Sequence, residues 1–110
     1  MEINTKKEKN IMIVSVQGRM DAMTAPEFEK SLSDLISKGE KKFLVNLKGL
    51  DYISSAGLRS ILATAKRLKN EMGEIRFCGI KDTVGEVFKI SGFHSIFKIF
   101  DSEEAAVEQI

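Results

Sequence analysis

With 110 residues, the chain is sized for one domain, taken here as residues 1–110, and leaves no room for two independent cores. Apolar residues make up 43% and charged residues 30%, the balance of a soluble globular protein, which excludes a disordered chain. Seventeen Lys+Arg against sixteen Asp+Glu leave a formal net charge of +1, so no global field draws the protein to nucleic acid or an anionic membrane.

The first ten residues hold no apolar signal-like run, and no stretch approaches the roughly 20 apolar residues that cross a bilayer, so a cytoplasmic location is expected. The basic clusters at Lys6, Lys7 and Lys9, at Lys38, Lys41 and Lys42, and at Lys66, Arg67 and Lys69 read as solvated surface. Ile11 to Val16 is rich in β-branched residues and reads as a strand ended by Gly18. Residues 2 to 7 would pair with it across a turn at Glu8, Lys9 and Asn10.

Next comes a run of helix-start signals. Thr24 and Glu27 form a capping-box pattern, Pro26 lies in the first turn, and Met23 with Phe28 fits a hydrophobic staple. Phe28, Leu32, Leu35 and Ile36 then recur at helical spacing until Gly39. Lys42 to Leu47 has the nearly continuous apolar centre of a strand covered on both faces.

After a short loop, Leu58, Ile61, Leu62, Ala65, Leu68 and Met72 mark one face of a long helix. Beyond Gly73, Ile75 to Ile80 reads as a strand, and Cys78 within it as a buried structural thiol. As the sole cysteine, it excludes an internal disulfide and any CxxC metal or redox site. Thr83 and Glu86 repeat the capping-box pattern before a short helix with Val84, Val87 and Phe88 inward, closed by Gly92. Ile96 to Phe100 reads as a last strand, and the segment from Asp101 to Glu104 caps a C-terminal helix. The order ββαβαβαβα predicts an α/β fold, with a mixed, mostly parallel sheet of four to five strands flanked by helices.

Chemistry concentrates where the covered strand from Lys42 to Leu47 gives way to the long helix. Ser54 or Ser55 is placed to cap that helix, so its hydroxyl lies at the positive end of the macrodipole, a position that tolerates an added anion. A nucleophile elbow, G-x-S-x-G, is matched only in part by Ile53 to Gly57, because the first glycine is missing. The one histidine, His94, is a weak candidate for a base acting with Ser55. One His and one Cys make a poor zinc set, and glycine-rich phosphate loops are absent. No cofactor, no metal and no enzymatic activity are expected.

The stretch from Val45 through Leu50, Asp51, Tyr52, Ile53, Ser54, Ser55, Ala56, Gly57 and Leu58 resembles the phosphorylation motif of STAS-domain anti-sigma factor antagonists. Gly18, Arg19, Met20 and Asp21 resemble that family's G-x-[LMI]-D element. The resemblance implies phosphorylation at Ser55, aligned through Gly57 and Leu58, by a partner that is both anti-sigma factor and serine kinase, with a serine phosphatase reversing it. Ser54 stands where the family has Asp, and Ala56 replaces a second hydroxyl, which makes Ser54 the alternative acceptor. It further implies a partner-binding surface of Asp21, Ser54, Ser55, Ala56, Gly57 and Arg59, with Lys81, Asp82 and Thr83 as another edge. A STAS subunit of a transporter-linked or stressosome-like assembly is the alternative within the same fold.

Overall fold

The computed structural model describes residues 1–109. Strands β1 (Glu2–Glu8) and β2 (Ile11–Met20) form the expected antiparallel hairpin, turning at Lys9 and Asn10. Helix α1 (Ala25–Ser37) leads to β3 (Lys42–Ile53), α2 (Ser55–Asn70) and β4 (Glu74–Cys78). Then follow α3 (Asp82–Ile90), α4 (Phe93–Ile96), β5 (Ile99–Phe100) and α5 (Glu103–Gln109). Among the described residues the five strands lie in sequence order, and every pair after β1–β2 is parallel.

Alternation along the central strands explains the layers, since successive side chains leave a strand on opposite faces. Val14, Val16, Phe43, Val45, Leu47 and Phe77 face the core beneath α1 to α4, where Phe28, Leu32, Ile61, Leu68, Val84, Phe88 and Phe93 meet them. Ile11, Ile13, Leu44 and Cys78 turn to the other face and are closed over by Ala106 of α5. Glu103 fastens that helix, accepting from Asn46 Nδ2 at 3.1 Å and pairing with Lys6 Nζ at 2.9 Å. Burial works against ionisation of Glu103, but the bonds from Asn46 and Lys6 prevail and hold its carboxyl below the ordinary value. On the β4–β5 side, the rings of Phe77, Phe88, Phe93 and Phe97 pack edge to face at 5.1–5.6 Å.

Several local expectations are corrected. β2 does not end at Gly18, which lies inside the strand at φ +99° and marks an irregularity in its ladder with β3. β3 runs on to Ile53 where a loop was expected. Neither capping box forms: Thr24 and Lys81 are the N-caps of α1 and α3, and neither makes a side-chain cap bond. Met23 is 84% exposed, so it staples nothing. The segment from Phe93 divides between α4 and a two-residue β5, giving the order ββαβαβααβα. Ile96 is therefore helical and exposed instead of lying in a strand.

The buried stripe of α2 is also rotated from the apolar one. Gly57, Ser60, Ile61, Thr64 and Leu68 face inward, while Leu62 is 40% and Met72 92% exposed. Small residues on this side let α1 approach, and the Thr64 hydroxyl is satisfied by donating to the Ser60 carbonyl at 2.9 Å. Arg67 then bridges the helices, its guanidinium donating to Ser33 Oγ and to Ser37 Oγ.

Candidate functional site

The parallel ladder projects unevenly. β3 pairs with β4 only as far as Asn46↔Cys78, yet it continues beside β2 to Met20↔Ile53. Two register shifts, between Ser15 and Gln17 and between Gly18 and Arg19, let β3 carry extra residues in this arm. Leu47, Leu50 and Ile53 are consequently buried at intervals of three residues, not two.

The end of this arm holds the serine pair. Ser54 N–H donates to the Met20 carbonyl at 2.9 Å, which extends the ladder by one bond and brings the residue before Asp21 against the start of α2. Ser54 is the N-cap, in extended conformation, and its Oγ accepts from Gly57 N–H at 3.3 Å. Ser55 is the first helical residue and is exposed, whereas Ser54 is half-buried. The first turn of α2 contains no acidic side chain, so nothing there repels an anion drawn to the positive helix end. Arg59 is exposed one turn further on.

Gly57 points inward. A Cβ there would lie 2.7 Å from Ile53 Cγ1 and 3.0 Å from both Met20 Cγ and the Met20 carbonyl oxygen. Its small size thus serves the packing of α2 onto the strand ends, where it is buried. Ala56 is half-buried beside it.

Asp21 organises the turn between β2 and α1. Its Oδ1 accepts from Met23 N–H at 3.0 Å and Thr24 N–H at 3.1 Å. The Thr24 hydroxyl accepts from Asp21 N–H at 2.9 Å and donates to the Arg19 carbonyl at 2.7 Å. The Thr24 N–H bond, supported by that of Met23 and by the Arg19 guanidinium, holds the Asp21 carboxyl below the ordinary aspartate value despite partial desolvation. Arg19 Nε stands 3.8 Å from Asp21 Oδ2, and its Cζ lies 4.2 Å from the centroid of the Tyr52 ring.

Asp21 and Ser54 are thus joined through the backbone of Met20. The Lys81, Asp82 and Thr83 segment is exposed, but Lys81 lines a separate groove of about 350 Å³ with Asn46, Lys48, Asp101 and Glu103. Among the described residues no hydrogen bond or ion pair joins this segment to Asp21, Ser54 or Ser55. His94 sits exposed on α4 and forms no hydrogen bond with either serine. Arg19 and Tyr52 had no distinctive sequence signal beyond proximity to Asp21 and Ser54, since their contact is made across the ladder.

Comparison with known proteins bears on the family and the fold. The family model described as STAS domain matches residues 2–106. BtrV of Bordetella bronchiseptica, assigned by its name to the anti-sigma factor antagonists, is 42% identical over 106 residues, covering 96% of this chain and 91% of BtrV. The crystal structure of an anti-sigma factor antagonist from Mycobacterium paratuberculosis superposes with a TM-score of 0.90 at 18% identity, covering 99% of this chain and 92% of that one. The Bacillus cell fate determinant SpoIIAA, solved in its phosphorylated form, superposes with a TM-score of 0.77 at 18% identity and covers 98% of each chain. Among the described residues, no helix is long and apolar enough to cross a membrane.

Proposed function

The chain belongs to the STAS domain family, and on that premise we propose that it is a cytoplasmic, non-catalytic anti-sigma factor antagonist switched by phosphorylation of Ser55. The unmodified form binds an anti-sigma factor that is also a serine kinase, through Asp21, Ser54, Ser55 and Arg59, and so frees the sigma factor. In the modification, Ser55 Oγ attacks the γ-phosphorus of ATP, the Oγ–P bond forms as the bond to ADP breaks, and the hydroxyl proton passes to a base on the kinase. A serine phosphatase restores the hydroxyl.

One observation carries the choice of residue: Ser55 is exposed, while Ser54 is half-buried and its Oγ is engaged as the cap of α2. Phosphate on Ser55 adds about −1.5 to −2 charges at the centre of the contact. A misplaced interfacial charge costs several kcal/mol, enough to weaken partner binding by roughly 100-fold or more. The helix end itself accommodates that anion, so the switch changes a surface and leaves the fold in place.

The test is incubation with ATP and the serine kinases of the source organism, followed by mass spectrometry. Ser55→Ala abolishes incorporation and retains partner binding, Ser54→Ala remains a substrate, and Ser55→Asp binds weakly. Normal incorporation into Ser55→Ala would move the site to Ser54 and overturn the assignment.

A further inference from the structure

Apart from Asp21 and Arg59, the residues of the proposed docking surface are small. Two serines and a half-buried alanine permit close approach, but they offer little of the bulk that anchors protein interfaces, where tyrosine and arginine are enriched at the positions carrying most of the energy. The β2–β3 arm supplies both types just beside them. Arg19 and Tyr52 are partners across the parallel ladder, two residues before Asp21 and two before Ser54 respectively.

Their arrangement is that of a prepared cation. The Arg19 guanidinium is stacked 4.2 Å from the Tyr52 ring centroid, and its side chain remains 62% exposed. Asp21 faces only Nε, at 3.8 Å, a separation too long for a close bidentate pair. Asp21 Oδ1 is already occupied by the N–H groups of Met23 and Thr24. Among the described residues, no hydrogen bond or ion pair uses the terminal amino groups of Arg19. The stack fixes the plane of the fork, so less side-chain freedom is lost when those donors meet a planar acceptor.

We propose that Arg19, positioned by Tyr52, is the specificity-determining residue of the docking surface and pairs with a carboxylate on the partner kinase. This rests on the reading of the chain as a kinase-docking antagonist. It also supplies the sign of the switch. A partner surface acidic enough to seek Arg19, and Arg59 on α2, is repelled by a phosphate placed on Ser55 at the start of that helix.

The test uses the full chain and the kinase that phosphorylates it in the preceding experiment. Arg19→Gln replaces the guanidinium with a shorter, uncharged amide and is expected to raise both the Kd for the kinase and its KM for the chain about tenfold or more, with kcat at saturation unchanged. Arg19→Lys recovers part of the affinity, because an ammonium restores the charge but not the fork. Tyr52→Leu weakens binding less, and adding it to Arg19→Gln changes nothing further if the ring acts through the guanidinium. The salt dependence of binding also flattens in Arg19→Gln.

Wild-type Kd and KM in Arg19→Gln, alongside weak binding by Ser55→Asp, would overturn the assignment of Arg19 and leave the proposed switch intact. Independent, additive losses from the two substitutions would overturn the positioning role of Tyr52. A wild-type chain that no serine kinase modifies would overturn the functional reading, and this inference with it.

Discussion

Asp21 shows how one side chain serves both the fold and the surface. Its Oδ1 caps the turn into α1 through Met23 and Thr24, so an amide in its place keeps those two acceptor bonds and loses only the charge facing Arg19. Asp21→Asn is therefore expected to lower kinase affinity with only the small fall in melting temperature that loss of the charge brings at neutral pH, whereas Asp21→Ala lowers both further. The pH dependence separates the two roles. A carboxyl held below its ordinary value in the folded chain adds stability that is fully present above about pH 4 and is lost as pH falls through the folded-state value. Urea titrations across the acid range should show a shallower loss in Asp21→Asn than in the wild type. Coincident curves would mean that the charge contributes nothing to folding.

At the scale of elements, the site depends on how closely α2 seats on the end of the β2–β3 arm. Gly57 is a point of close approach, with Ile53 and Met20 opposite. A methyl group there forces the helix away from the strands, and the cost of such overpacking is about 1–3 kcal/mol. Gly57→Ala should consequently lower the urea midpoint and slow phosphorylation of Ser55 together, since the helix start that presents the hydroxyl is displaced. Unchanged stability would show that the arm yields without cost. Leu47, Leu50 and Ile53 explain why this arm was not legible as a strand. Their spacing is neither the alternation of a regular strand nor a helical stripe, because irregular pairing with β2 changes which residues face inward.

Across the whole molecule, Cys78 reports how well the two layers close over the sheet. It is fully buried beneath α5, and burial, with Glu103 and Glu104 adding to it, pushes its thiol up to about 12. A group whose folded value is raised contributes stability that is complete below its unfolded value, near 8.5, and is lost as pH climbs toward about 12. Cys78→Ala should accordingly show a gentler alkaline loss of stability than the wild type. Alkylation of the native thiol by iodoacetamide should be slow and limited by opening of the fold. Rapid labelling at neutral pH under native conditions would contradict the closure described here.

The order of the long elements, the covered central strands and the hydroxyl pair before α2 were legible from residues a few positions apart, because periodicity and helix-start chemistry are local. The same local reasoning placed Thr24 correctly at the N-cap of α1 but misread its hydroxyl, which bonds the Arg19 carbonyl and Asp21 N–H instead of the first-turn amides, and it placed Leu62 on the buried face. It also left Ser54 and Ser55 as equal candidates for the cap. Sequence by itself determined the kinds of structure this chain builds and where its paired serines lie. Tertiary structure alone decided which serine caps α2 and which is exposed, and it alone set Arg19 over Tyr52, because both outcomes depend on cross-strand register and on the seating of α2, which join residues far apart in the chain.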